Sequence, residues 1–492
     1  MIKQGFFNLI GLIIKIGTIL LPIPILIKNL GVESYGVWIW CFSIIGSFQL
    51  FEGGFTLTIV HFLSKNSLAK EQNENNIFYA DSILTAATIT IFLAMLASGS
   101  LLFFSDYIAS GLETKINKTL VKGIIKTSAI VLALKITQNI GWGIYQSNNQ
   151  YGKYNFLTSI QVIVVNIGLI FISIKMPKSL NIMMQWVAIV YLTITIAQLL
   201  LLKNFLIFMK NGRLKYAHVI EQTKYAWSCW GSNLGAILYT HGDKLIVGNL
   251  LGAGNLAIYS TLTSIVAYIS TIGSQLIHPV FPILSKLNHK NEKEVEITNA
   301  LENALYLNVT ITILVSFSLL IISDNLLHFL LKESYSRNTL QSFYMLIIIY
   351  SINSINAPGY YALLSINQNH TVMLSVLIFG CISLIMIYYG AKNLGITGAI
   401  YGNIGYSFTI ILVYLALIKY KYKLYKWLKV LIIPFSWLLF VYLYRTNSTP
   451  GYMSYIIIIE ITISVLIYST LSWINMKINA PKLQFYLKSK FP

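Results

Sequence analysis

The run "LYTHGDKLIVGNLLGAGNLAIY" (Leu238–Tyr259) decides how this chain is read. It puts His241, Asp243 and Lys244 near the end of an apolar stretch that begins around Tyr225, then passes into a glycine-bearing turn. That turn has a counterpart. "LLGAGNLAIY" (Leu250–Tyr259) aligns with "NLGVESYGVW" (Asn29–Trp38), Gly252 on Gly31 and Tyr259 on Trp38, at one offset of 221. In the same register "ILSK" (Ile283–Lys286) falls on "FLSK" (Phe62–Lys65), and Glu292 on Glu71. Further on, "GYYALLSINQ" (Gly359–Gln368) aligns with "GWGIYQSNNQ" (Gly141–Gln150) at an offset of 218. Apolar alphabets match by chance, so one pair means little. A shared offset held over about forty residues signals an internal repeat.

Composition sets the solvent. Of the 492 residues 56% are hydrophobic and 10% charged, with a mean hydropathy of +0.68. Soluble domains carry about 25% charged residues, so a membrane protein is expected. Apolar runs of roughly 20 residues recur from end to end, each long enough to span ~30 Å of hydrocarbon. The pattern predicts an all-α polytopic protein with about 14 spans: 6–28, 35–61, 77–104, 122–146, 155–174, 182–202, 225–249, 256–281, 300–322, 339–364, 371–390, 396–418, 427–444 and 452–475. The first is read as an uncleaved helix. With both termini assigned to the cytoplasm, the inner segments hold about twice as many Lys and Arg as the outer ones, as the positive-inside rule requires. The net charge of +19 therefore reports membrane orientation and excludes nucleic acid as a partner. "KYKYKLYKWLK" (Lys419–Lys429) is its densest patch, placed to touch anionic lipid.

Both halves start their six spans inside, so the repeats are parallel, related by an axis along the membrane normal. The expected organisation is a six-helix bundle over 1–203, a cytoplasmic linker over 204–224, a second six-helix bundle over 225–418, two extra helices over 419–475 and a basic tail over 476–492. Two such bundles can rock about a central cleft. Gly31 and Gly252 read as turn glycines that supply unusual dihedrals. Pro22 and Pro24 are expected to bend the first span.

A charge inside the bilayer costs at least ~2.5 kcal/mol on insertion scales, so each one needs a reason. At 1.5 Å per residue, Lys15, Glu52 and Lys135 all fall about 14–16 Å from the inner edge, on three different helices. Glu52 can neutralise one lysine, which leaves a positive site facing water. On the fourth span Ser128, Lys135, Gln138, Asn139 and Trp142 recur at helical spacing. Such a stripe faces a cavity or forms a hydrogen-bonded seam, and both readings stand. His241, Asp243 and Lys244 lie about 8–12 Å from the outer end of the seventh span. They either line a wet lumen or form an ion-pair network between bundles. His61, Asp81, His278 and Glu302 sit at inner ends, within reach of water, and read as structural. Glu460, deep in the last span, has no evident role.

Cys41, Cys229 and Cys381 show no metal-ligand spacing and read as small buried hydrophobes. No phosphate-cradling glycine loop, nucleophile elbow or pair of metal ligands on one helix face is present. No cofactor is expected, apart from a coupling H+ or Na+.

The chain resembles the polysaccharide flippase branch of the multidrug/oligosaccharidyl-lipid/polysaccharide exporter superfamily, the bacterial O-antigen unit flippases. The resemblance rests on "LGVESYGVW" after the first span, "NQ" with nearby tyrosines after the fourth, "DKLIVGNLLGAGNLAIYS" at the seventh-to-eighth turn, and "HPVFPILSKL" closing the eighth. It implies a MATE-like pair of pseudo-symmetric bundles, with the last two helices as the extra pair seen in such flippases. It implies transport of an undecaprenyl-diphosphate-linked oligosaccharide from the inner to the outer leaflet of the bacterial inner membrane, beside polysaccharide polymerase and chain-length machinery. Under this reading Lys15 and Lys135 meet the diphosphate or acidic sugars, with Gln138, Asn139 and Lys244 in the same substrate site and Glu52 balancing charge. Asp243 or His241 would carry a coupling proton, or Asp243 a sodium ion. Relatives often use arginine in the lumen. This chain has only Arg213, Arg337 and Arg445, all expected outside the core, which leaves lysine point charges in place of bidentate forks. The alternatives are a drug/cation antiporter of the same fold, which would want a more acidic cleft, a membrane polysaccharide polymerase or glycosyltransferase, and an uncoupled lipid scramblase.

Overall fold

The computed structural model describes every residue except 1–16, 53, 68–72, 149, 204–211, 278–283, 285–293, 367, 448–453 and 480–492. All regular elements among the described residues are helical. The first half runs α1 (Pro22–Leu30), α2 (Val32–Phe48), a 3-10 turn (Gln49–Glu52), α3 (Phe55–Ser67), α4 (Asn73–Phe103), α5 (Ser105–Gly111), α6 (Lys118–Ser147), α7 (Tyr151–Lys175) and α8 (Leu180–Leu201). Then come α9 (Tyr216–Ile237), a π-helical turn (Leu238–Gly242) and α10 (Asp243–Ile277). The rest is α11 (Glu294–Leu331), α12 (Arg337–Ser354), α13 (Ala357–Ser365), α14 (Asn369–Gly402), α15 (Ile404–Ser407), α16 (Ile411–Lys419), α17 (Leu424–Asn447) and α18 (Ser454–Asn479).

Nine described stretches are long and apolar enough to cross a membrane. Two of them, Leu238–Gln275 and Asn369–Lys419, pass through a glycine whose backbone leaves the helical region: Gly252 (φ 83°, ψ 170°) and Gly395 (φ 62°, ψ −143°). The boundaries expected between spans 7 and 8 and between 11 and 12 fall at these glycines. Three spans expected to be continuous are interrupted, the twelfth at Asn403 and at the 3-10 turn Phe408–Ile410. The second breaks at the 3-10 turn and at Gly54 (φ 75°), inside the "EGGF" sequence. The tenth breaks at Ile355–Asn356, just before Pro358. Pro22 and Pro24 stand in the first turn of α1, which follows a turn residue at Leu21. Prolyl rings clash with the carbonyl four residues back, so a bend belongs there. Large apolar side chains such as Phe92, Met95, Phe171, Leu200 and Phe440 are exposed. Water would reject so many, whereas lipid is their proper solvent.

The repeat reappears in backbone geometry. Gly31 has φ 82° and ψ 157°, almost the values of its counterpart Gly252. After α6 the Gln150 N–H donates to the Tyr145 carbonyl (2.8 Å), and at the counterpart position the Gln368 N–H donates to the Leu363 carbonyl (3.0 Å). Such φ, ψ pairs are essentially restricted to glycine. Gly31 has nothing within 4 Å of where a Cβ would stand, so Gly31→Ala tests backbone strain alone. We expect it to lower stability by about 1–3 kcal/mol, read as a lower midpoint of thermal unfolding in detergent.

By packing, the described residues up to Ile258 form one compact unit and those from Tyr259 on form a second. α9 and the start of α10, which the repeat puts at the head of the second half, thus pack in the first unit. The first unit is centred on Ile59, Leu63, Ile83, Trp142, Tyr145 and Val190. Asp81 at the start of α4, expected to reach water, is fully buried beneath the segment that leads into α9. It accepts the Arg213 backbone N–H (2.6 Å) and pairs with Lys215 Nζ (2.7 Å), with His218 at 3.9 Å. His61 stacks on Tyr225, ring centroids 4.2 Å apart.

In the second unit α17 and α18 pack on α11. The Tyr468 hydroxyl donates to the Thr310 carbonyl (3.0 Å) and the Asn475 amide to the Val430 carbonyl (3.0 Å). Glu460 acquires a reason here: Arg445 Nη1 donates to it at 3.2 Å, while Nη2 donates to the Ile321 carbonyl at 2.8 Å. Arg445, expected in an outer connection, is therefore buried among α11, α17 and α18. Tyr422, in the turn before α17, is held above the usual phenol range, first by burial and then by Glu302 beside it. His278 lies outside the described residues.

Candidate functional site

In the first unit, ionisable residues gather where two helices lose regular geometry. The first irregularity is the break between α2 and α3. Glu52 closes the 3-10 turn, and its carboxylate accepts the Thr56 N–H (3.3 Å) and the Thr56 hydroxyl. It thereby caps the start of α3, where the helix dipole favours negative charge. The break leaves backbone carbonyls without helical partners, and Trp230 Nε1 on α9 donates to one of them, that of Leu50 (2.6 Å). Non-helical backbone at membrane depth persists only where protein or a water-filled cavity satisfies it.

The second irregularity is the π-helical turn Leu238–Gly242, which carries His241. Such turns are frequent at functional sites. The imidazole occupies space that Gly46 leaves open, since a Cβ there would overlap the ring. Lys244 Nζ folds back to the Thr240 carbonyl (3.1 Å), within the loosened turn. Asp243 is 3% exposed and accepts the Lys244 N–H at 2.7 Å.

Lys135 links the two irregularities. It is half-buried on α6, about 18 Å from the end at Ser147 by helical rise. It interacts electrostatically with Glu52 and with His241, and His241 in turn interacts with Lys244. The fold thus brings together Glu52, Lys135, His241 and Lys244, from three separated stretches of sequence. Asp243 joins them through Lys244. Lys15 lies outside the described residues. Among the described members two lysines, Lys135 and Lys244, stand against two carboxylates, Glu52 and Asp243.

The polar stripe of the fourth span divides in two. Gln138 turns into a seam: its Nε2 donates to the Tyr191 carbonyl (2.9 Å) and Thr195 Oγ1 (3.1 Å), and its Oε1 accepts from Gln161 (3.1 Å). At 2% exposure its amide ties α6, α7 and α8 together. Ser128 and Trp142 are buried as well. Lys135 and Asn139, one turn apart, remain half-buried. Sequence reasoning missed Thr56, Trp230 and Gly46 as the groups that position Glu52, the break and His241. The glycine pair inside an otherwise apolar span was the signal that could have exposed the break.

Solved structures share this fold. The chain superposes on an inward-facing multidrug resistance MATE family transporter of the MOP superfamily with a TM-score of 0.69 at 11% identity, covering 82% of this chain and 94% of that one. It superposes on the lipid II flippase MurJ, in an inward closed conformation, with a TM-score of 0.67 at 16% identity, covering 95% and 99%. The class is therefore a multi-pass helical membrane protein with the fold of these structures. Sequence relatives narrow it. The chain is 21% identical over 418 residues to a protein of Shigella flexneri named for O-antigen transport, covering 84% of this chain and 95% of that one. It is 28% identical over 330 residues to the capsular polysaccharide biosynthesis protein CapF of Staphylococcus aureus, covering 61% and 74%. The chain belongs to the polysaccharide biosynthesis protein family, whose model matches residues 1–288.

Proposed function

We propose that this protein flips an undecaprenyl-diphosphate-linked oligosaccharide, a repeat unit of O-antigen type, from the inner to the outer leaflet of the bacterial inner membrane. The observation that carries the reading is the position of the charge cluster: the family match over residues 1–288 contains Glu52, Lys135, His241 and Lys244. A diphosphate needs a cationic partner inside the membrane, while its polyprenyl tail can remain in lipid. Lys135 and Lys15 provide the positive charge, and Glu52 balances Lys135 until cargo arrives. Lysine suits transient capture, because an ammonium is a point charge on a flexible stem and lacks the rigid fork of arginine. The two six-helix repeats would load facing inward, rock, and release facing outward. His241, in the π-helical turn, or Asp243 beside it would carry a coupling H+, or Asp243 a Na+. Both termini would lie in the cytoplasm.

Deleting this protein from its host is expected to abolish surface polysaccharide while lipid-linked repeat units accumulate on the cytoplasmic side. Extracted lipids and surface glycan, measured together, check it. Loss of surface glycan with no lipid-linked intermediate would point to synthesis, and unchanged surface glycan would end the proposal.

A further inference from the structure

The second unit contains its own pair of helix interruptions, and they face each other. α12 gives way at Ile355–Asn356 before α13, and the stretch between α14 and α16 passes through Asn403, the four-residue α15 and a 3-10 turn, Phe408–Ile410. Asn356 Nδ2 on the first break donates to Thr409 Oγ1 on the second at 2.7 Å. Three half-buried tyrosines stand close to these residues in sequence. Tyr360 and Tyr361 meet edge to face with centroids 5.2 Å apart, and Tyr360 also lies within electrostatic reach of Tyr406. The backbone that carries them is closely packed. A Cβ on Gly359 would overlap the Val413 backbone, so α13 is pressed directly on α16, and Asn403 Nδ2 is tied to the Tyr259 hydroxyl at 3.0 Å. Next to Tyr406, Ser407 is 7% exposed, and its buried hydroxyl has no hydrogen-bond partner among the described residues.

Nothing at these two breaks is charged. The segments 353–361 and 403–409 hold Asn, Ser, Thr and Tyr among apolar residues, with no Asp, Glu, Lys, Arg or His. Discontinuous helices in transporters form binding sites, and a buried hydroxyl without a partner asks for a ligand or a water. Rigid aromatic faces edged with amides and hydroxyls suit a ligand with apolar C–H faces and many hydroxyls. That description fits a sugar ring and excludes a phosphate. We infer that Tyr360, Tyr361 and Tyr406, with Asn356 and Ser407, form a glycan-binding site in the second unit. The inference rests on the flippase reading and deepens it by assigning a sugar of the cargo to residues of the second unit.

The test uses the purified full chain in lipid nanodiscs and two probes, undecaprenyl diphosphate and the same lipid carrying one N-acetylhexosamine. The wild type is expected to bind the sugar-bearing probe about tenfold more tightly, the scale of one or two stacking and hydrogen-bond contacts. Tyr361→Ala and Tyr406→Ala should bring the two probes to equal affinity, and Lys135→Ala should weaken both alike. Tyr361→Phe and Tyr406→Phe keep the rings in place and should lose only part of the preference, which separates recognition from misfolding. Folded tyrosine variants that still prefer the sugar-bearing probe as the wild type does would overturn the site, as would a wild type that binds both probes equally. A wild type that binds neither would remove the flippase reading itself, and this inference with it.

Discussion

Lys135→Ala is expected to reduce polysaccharide export below about a tenth of wild type, since a charged hydrogen bond is worth ~1.5–3 kcal/mol, while the protein still reaches the membrane. An ammonium this deep carries an insertion cost, and a cheaper residue would have sufficed had the position only needed filling. The competing explanation is that Lys135 exists to neutralise Glu52, with which it interacts. The two explanations diverge in the double variant Glu52→Gln, Lys135→Gln. It removes both charges and leaves neither uncompensated, so a merely structural pair should be replaced without loss. We expect the double variant to be folded, inserted and inactive, and Lys135→Arg to retain part of the export. Surface polysaccharide, with the variant's membrane level measured alongside, is the readout. Full export by the double variant would remove Lys135 from the transport path.

Gly36→Leu should prevent the first unit from folding. A Cβ on Gly36 would stand inside the backbone of Ala253, so α2 and α10 meet there without an intervening side chain. Neither partner can retreat. Gly252, just before the contact, is held at φ 83° with the Glu113 carbonyl at 3.1 Å from where its own Cβ would be. The Ala253 N–H donates to that same Glu113 carbonyl at 2.9 Å. Overpacking typically costs 1–3 kcal/mol and occasionally more, and backbone-to-backbone contact belongs at the upper end, at about 3 kcal/mol or above. Gly99→Leu is the control, because nothing lies within 4 Å of its Cβ position. The expected result is loss of folded protein for the first variant and near-normal yield for the second. A Gly36→Leu protein that melts within about 2 °C of wild type would show that the contact is absent in the membrane.

Much of this architecture was legible in the chain itself. Gly31 and Gly252 were matched by offset alone, and the structure gives them nearly the same dihedrals. Tyr145–Gln150 and Leu363–Gln368 were matched in the same way, and both close with the same hydrogen bond. Such turns can be read because their geometry depends on residues adjacent in sequence. The breaks were not read. A hydropathy window averages over Glu52 and its glycines and reports one continuous span, although the Leu50 carbonyl is free to accept Trp230 only because the helix stops there. The stripe on α6 was half read. Helical spacing places Lys135 and Gln138 near one face, but it cannot tell which of them meets glutamines on α7 and α8.

By itself the sequence determined the solvent, the helical class and the repeat, because hydropathy and periodicity are local quantities. Only the tertiary structure decided which charges meet. Glu52, Lys135 and His241 lie more than a hundred residues apart at their extremes, and their association depends on α9 and the start of α10 packing against the first-half helices. Electrostatic interaction falls with distance through space, and distance through space is what a linear chain does not record.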